Sequence, residues 1–356
     1  MEPSDQRVVD GGMAAAQSPS STPASSSRGS LPRRQLLAGI AGATLGVMAA
    51  FRARPASAQS ERAIRFILPV ATGSGVDTIT RSASGALAKA LGHPVVVENQ
   101  PGAGGILGTS ALVRSAPDGA TLSFVSNNHV IYPSVYKSLP FDPIADITPI
   151  AIVGSTPLVL VVNPQKIPAR NVQDLIKLMK AEPGRYNYAS SGNGTILHLA
   201  GAMFLDEAKV QAPHVPYKGV GPMVTDLVGG HVEMGVLALP SIQQHLRSGA
   251  LHAIGVGAAR RVPAAPDIAT MVEQGLSNYL VEGWFAVIGP AKLPAAEVQR
   301  FNAALKTAFA APEVTEAMAK QGNTIEVSTP EHAAGYFRSE LQKYAALVRK
   351  AGVEPQ

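Results

Sequence analysis

The chain contains no cysteine. Disulfides, thiolate metal sites and a lipid anchor on an N-terminal cysteine are therefore all excluded. Charge is sparse, at 15% of residues. No basic patch stands out, which argues against nucleic acid as a partner. The eight histidines show no H-E-x-x-H spacing, so zinc has little support. The serine-hydrolase elbow G-x-S-x-G is missing. No apolar run reaches the ~20 residues needed to span a bilayer.

What is present is a chain of 356 residues, 46% hydrophobic, enough to bury one large core or two modest ones. Residues 1–32 are rich in Ser, Pro, Ala and Gly without apolar periodicity, so no packed structure is expected there. Arg33 and Arg34 then precede an uncharged run from Leu36 to Phe51 and the small residues Ala56, Ser57 and Ala58. That three-part layout is an export signal, with cleavage expected after Ala58. The paired arginines resemble a twin-arginine signal, although Pro32, Leu36 and Ala38 depart from the common pattern and leave Sec export open. Residues 1–58 hold six of the 30 Lys/Arg and three of the 25 Asp/Glu, so the formal charge falls from +5 to 24 − 22 = +2 on cleavage. A soluble periplasmic product is expected.

From residue 64 onward, strands alternate with helices. IRFIL, PVVVEN and TLSFVSN read as strands, and the segments after them carry helical spacing. Short loops between such units indicate a parallel sheet with helices on both faces, whose sites lie at the carboxyl ends of strands. PLVLVVNP (157–164) and VEGWFAVIGP (281–290) are longer apolar strands that enclose a second βα series, and the chain after 290 is mostly helical. The predicted architecture is α/β and two-lobed, each lobe a sheet flanked by helices, joined by two crossing strands. Residues 59–160 with 286–356 form one lobe and 161–285 the other. A cleft between lobes would hold the ligand. A single continuous α/β sheet is the alternative.

GAGGILG after PVVVEN looks like a dinucleotide fingerprint, but the next strand ends in Ser and Asn where a ribose-binding acid would stand, so tight-turn packing is the better reading and no cofactor is expected. Ser190 and Ser191 would need a base. His198 sits in a helix beside Leu197 and Leu199, as packing histidines do.

An anion pocket fits better. In ATGSGVD, Gly73 and Gly75 let loop N–H groups turn inward ahead of a helix start, and Asp77 caps that helix or holds a water. SSGNGT (190–195) repeats the arrangement in the second series. Nearby, Tyr217 suits a wall, while Lys218 reads equally as an anion partner or a solvated turn lysine.

Together LPVATGSGVD, VVVENQPGAGG, APDGATL, YASSGNG with HLAG, HVPYKG, TDLVGGHVEMG, GWFAVIGPAKLP and TPEHAAGYFRSEL resemble the substrate-binding proteins of tripartite tricarboxylate transporters, the Bug family. The likeness runs from about Ile64 to the C-terminus. It implies a periplasmic Venus-flytrap protein, a monomer without catalysis, that captures a small organic carboxylate for a two-component membrane permease. It also implies a ligand site at Thr72, Gly73, Ser74, Gly75 and Asp77 in one lobe, and at Ser190, Ser191, Asn193, Gly194 and Thr195 in the other, with Tyr217 nearby. Two departures stand out. Ser74 replaces a usual glycine, and Leu237-Ala238 replaces an Asp-Asn pair common in the family, which implies a more apolar wall and disfavours an amine-bearing cargo. An exported α/β hydrolase and a periplasmic sensor subunit are the rival readings.

Overall fold

The computed structural model describes residues 63–355. The disordered extension and export signal expected over 1–58 lie outside the described residues. The described residues all belong to one compact unit.

The first βα series runs β1 (Ile64–Leu68), α1 (Gly75–Leu91), β2 (Val95–Asn99), α2 (Ile106–Val113), β3 (Thr121–Ser126) and α3 (Asn128–Val135). β2, β1 and β3 pair in parallel. Next comes β4 (Ile147–Val162), sixteen residues rich in Val and Ile. The second series is α4 (Val172–Ala181), β5 (Tyr188–Ser190), α5 (Ile196–Ala208), β6 (His214–Pro216), α6 (Val220–Gly229), β7 (Met234–Ala238), α7 (Leu239–Arg247) and β8 (His252–Val256). β9 (Glu282–Pro290), α8 (Ala295–Phe309), α9 (Pro312–Gln321), β10 (Thr324–Ile325) and α10 (Pro330–Lys350) close the chain.

Two sheets result, ordered β2-β1-β3-β9-β4 and β4-β7-β5-β6, with β10 and β8 also paired to β4. Parallel pairing holds within each βα series, as the alternation predicts. β4 and β9 run against their neighbours, so the sheets are mixed rather than wholly parallel. β4 pairs with β9 from Ile147 to Pro157 and with β7 from Leu158 to Val162, changing sheets between adjacent residues. The return crossing is at the same level. Val281 N–H donates to the Gly257 carbonyl and Gly257 N–H to the Leu158 carbonyl, while Glu282 pairs with Pro157. Two register shifts in the β4–β9 ladder add local twist there.

Side-chain alternation explains why helices cover both faces. Phe66, Leu68 and Phe124 point to one face of the first sheet, packing with Phe301 and Phe309 of α8. Ile67 and Val125 point to the other, into a cluster that continues through β4 into the core of the second sheet. Helix boundaries follow local chemistry. Ser74 caps α1 by accepting from Asp77 N–H at 3.2 Å, and left-handed Gly92 ends it. Thr195 and Thr329 cap α5 and α10 in the same way.

A buried polar clamp joins β3, β9 and α10 beside the crossing. Asn127 is fully buried. Its Oδ1 accepts from Trp284 N–H at 2.8 Å, and its Nδ2 donates to the Glu282 carbonyl at 3.2 Å and to the Tyr344 hydroxyl at 2.5 Å. Trp284 Nε1–H in turn donates to buried Glu340 at 2.9 Å. Removing one partner strands a buried donor at roughly 1–3 kcal/mol. Asn127→Ala is therefore expected to lower the melting temperature by about 5 °C, measured by calorimetry; a change below 1 °C would show that the clamp is not structural.

Candidate functional site

Loops from both sheets meet at a cavity of about 590 Å³. They leave the carboxyl ends of β1 (Pro69, Val70, Ala71, Ser74), β2 (Pro101–Gly105), β5 (Ser191, Gly192, Asn193, Thr195) and β6 (Pro216–Val220), joined by Asn128 at the start of α3 and Tyr136 just past its end. This is where a βα sheet presents its ligands, because each such loop opens a helix whose first N–H groups lack intrahelical partners. A smaller recess of about 70 Å³ adjoins the cavity, shares Val70, Ser74, Asn128, Ser191 and Val220 with it, and reaches inward to Gly75, Thr156, Ala238, Ser241 and Trp284.

Of the residues predicted from sequence, Ser74, Ser191, Asn193, Thr195 and Tyr217 line the cavity, and Gly75 lines the recess. Thr72 and Gly73 are exposed beside it. Asp77 is buried behind the first loop rather than facing the cavity. Its carboxylate accepts from Gly73 N–H at 3.0 Å, Asn99 Nδ2 at 3.0 Å and Arg81 Nε at 2.9 Å, which leaves it a brace for the loop. Ser74 lines the cavity and accepts the Asp77 N–H of the α1 cap on its hydroxyl oxygen. Tyr217 donates to Asp226 at 2.8 Å, so it offers the cavity its ring; desolvation, with Asp226 beside it, pushes the phenol up to about 12.

Ser190 and Gly194 form the frame of the second loop. Fully buried Ser190 donates to the Gly192 carbonyl at 3.0 Å and accepts from Gly192 N–H at 3.1 Å. Its Oγ also lies 2.7 Å from His214 Nε2. This Ser–His pair sits behind the loop, with His214 half-buried, and neither residue lines the cavity or its recess. Gly194 has φ +68°, and an added Cβ would stand 2.3 Å from Val135 Cγ2, so only glycine lets the loop lie against α3.

His198 is the packing residue its apolar neighbours predict. Its Nδ1 accepts from Gly194 N–H at 3.0 Å, and its ring stacks on His214 with centroids 3.9 Å apart and planes 3° apart. Burial holds both imidazoles down at about 4, with His198 a further cause for His214.

The sequence reading missed the Pro101–Gly105 loop as a wall, along with Asn128 and Tyr136. The glycines there serve packing as expected: an added Cβ on Gly105, at φ +120°, would fall 2.1 Å from the Tyr132 hydroxyl oxygen. The same compact turn exposes its other edge to the cavity. Position at the ends of β2 and β3 was the signal that could have found these residues. Asn128 does more than line the wall. Its Oδ1 accepts from Ile196 N–H at 2.8 Å, so a residue following β3 caps α5 of the other sheet across the cavity. Of the Leu237-Ala238 pair, only Ala238 reaches the recess; Leu237, on the opposite face of β7, is core. Among the described residues, no group of three or more His, Asp or Glu could hold a metal ion, and no helix is long and apolar enough to cross a membrane.

Three histidines give a pH dependence with a definite sign. His129, His198 and His214 are all held near 4, each chiefly by burial. Groups depressed on folding stabilise fully above their unfolded value of ~6.5 and lose that contribution as pH falls toward the folded value. Fully buried His129 alone is worth on the order of 2 kcal/mol between pH 6.5 and 4.5. The unliganded melting temperature should drop by about 5 °C or more over that interval; a flat profile would contradict these neutral, buried imidazoles.

Comparison with known proteins agrees with this geometry. The profile described as tripartite tricarboxylate transporter family receptor matches residues 79–353. Protein BugT of Bordetella pertussis (strain Tohama I) is 35% identical over 320 residues, covering 89% of this chain and 96% of its own. Two solved relatives come from Rhodopseudomonas palustris. One, solved with adipate, is 25% identical with a TM-score of 0.79, covering 82% of this chain and 98% of its own. MatC, solved with bound malate, is 27% identical with a TM-score of 0.76, covering 80% and 98%. The chain belongs to the tripartite tricarboxylate transporter receptor (Bug) family of periplasmic solute-binding proteins, which bind substrates and are not enzymes.

Proposed function

We propose that this protein captures a small organic carboxylate, a di- or tricarboxylate or related acid, between two lobes and delivers it to the membrane permease of a tripartite tricarboxylate transporter. One observation carries the reading. Two glycine-containing loops, one from each sheet, bring the starts of α1 and α5 to a single cavity that no carboxylate side chain lines among the described residues. Helix starts favour anions by ~0.3–1 kcal/mol each, and charge-assisted hydrogen bonds add ~1.5–3 kcal/mol apiece. A few of these, after ordering costs, reach micromolar affinity.

In this account the ligand contacts come from Ser74 and Gly75 on one side and Ser191, Asn193 and Thr195 on the other, with Thr72, Gly73, Asp77, Ser190 and Gly194 shaping the loops and Tyr217 forming a wall. The lobes are residues 59–160 with 286–356 and residues 161–285, and the crossings at 157–158 and 281–282 let them close on the ligand as a two-state element. The absence of an acidic lining residue also disfavours an amino acid, whose ammonium would lack a partner. Export with cleavage after Ala58 delivers a monomer to the periplasm. The malate and adipate held by the R. palustris relatives favour a dicarboxylate.

The test is a thermal-shift screen of residues 59–356 against dicarboxylates, tricarboxylates, aromatic acids, amino acids and neutral controls. Ligand at one hundred times Kd adds ~2.7 kcal/mol, which raises the melting temperature by about 5 °C. A dicarboxylate or tricarboxylate should give that shift, and amino acids should not. Silence across every acid, with no copurified ligand by mass spectrometry, would overturn the proposal; turnover of an acid derivative that is lost in Ser191→Ala would favour a hydrolase.

A further inference from the structure

The cavity is electrostatically one-sided. Among its lining residues are backbone amides, hydroxyls, one Asn side chain from each sheet and apolar groups, but only one charged side chain, Lys218. It stands in the turn between β6 and α6, next to Tyr217, and is exposed. No hydrogen bond or ion pair engages its ammonium among the described residues. The two acids near this turn are engaged elsewhere: Asp226 accepts the Tyr217 hydroxyl, and Glu233 accepts from the Asn187 N–H and side-chain amide.

Placement within the cavity adds a direction. The inner recess shares Val220 with the cavity but not Lys218, and no charged residue lines it. The recess is therefore neutral and the outer part carries the positive charge. A ligand with a single carboxylate is satisfied by the loops at the starts of α1 and α5 alone. Inward, a second anionic group meets only the neutral, unpartnered hydroxyls of Thr156 and Ser241 and no charge to offset its desolvation; outward it meets one cation.

We infer that Lys218 is a specificity-determining residue that meets the second carboxylate of a dianionic cargo at the outer part of the cavity, so that the site selects dicarboxylates over monocarboxylates of equal length. This rests on the proposed carboxylate site and adds the charge of the cargo and its orientation. Because the lysine is exposed, its contribution is that of a partly solvated ion pair, roughly 3- to 10-fold in affinity, and it weakens with salt.

The experiment measures Kd by calorimetry for adipate and hexanoate, which share a six-carbon chain and differ by one carboxylate, on the protein of residues 59–356. The native protein is expected to prefer adipate. In Lys218→Met the adipate-to-hexanoate preference should fall 3- to 10-fold, and the salt dependence of adipate binding should flatten. Lys218→Arg should keep most of the preference, and Lys218→Glu should remove it. Asn193→Ala, a change within the anion loop, should weaken both acids alike and leave their ratio near the native value. Unliganded melting temperatures of the Lys218 variants should match the native protein, since the side chain is exposed and unbonded. An unchanged adipate-to-hexanoate ratio in Lys218→Met, with the native protein binding adipate, overturns the role of Lys218 while leaving the carboxylate site intact. A native protein that does not prefer adipate to hexanoate overturns the selection of dianions, and silence toward these two and every other acid of the screen overturns the carboxylate site as well.

Discussion

Strand β4 is bonded to β9 over its first eleven residues, to β7 over its last five and to β8 over its last four, so one continuous segment belongs to both sheets. Every other placement depends on it. Its alternating side chains carry the hydrophobic cluster from one sheet to the next, and its change of partner between Pro157 and Leu158 marks where the first sheet gives way to the second. The Asn127 clamp secures the returning strand at the same level. Because Asn128 follows directly, the residue that holds the crossing is adjacent to the one that reaches over the cavity to cap α5. Crossing and cleft are thereby linked through two consecutive asparagines.

On the proposed reading, the site answers a solvation problem. An anion leaving water needs hydrogen-bond donors, yet a fully buried lysine or arginine would be costly to keep when the cavity is empty. Helix starts offer partial positive charge through N–H groups that the fold leaves unpaired in any case. Braces behind the loops hold them in shape: Asp77 on Gly73, Ser190 on Gly192 and His198 on Gly194. These side chains therefore belong to preorganisation. Neutral imidazole at His198 is required because its Nδ1 must accept from an N–H, which is why burial and function agree there.

Much of this was legible in the sequence for physical reasons. Short apolar runs followed by helical spacing revealed the βα series, and glycines beside Ser74 and Thr195 marked the helix starts. The length of β4 was not legible, because Thr148, Pro149 and Pro157 interrupt its apolar pattern while its neighbours β9 and β10 lie more than a hundred residues away. Asp77 and Ser190 were predicted to face ligand because short polar side chains at a helix start serve equally as ligands and as braces; only their partners Gly73, Asn99 and His214 decide between the roles. The PGAGG turn was read for what its glycines allow, and its position at the end of β2 carried the rest.

The central claim is that loops from both sheets hold one anion together. The direct measurement is a malate titration of ¹⁵N-labelled protein, residues 59–356, followed by backbone amide shifts. The account predicts that amides at the start of α1, Ser74 to Val76, and around the second loop, Asn193 to Ile196, move together with a single dissociation constant. Shifts confined to one loop, or centred on the surface groove beside Arg170 and Arg247, would contradict it.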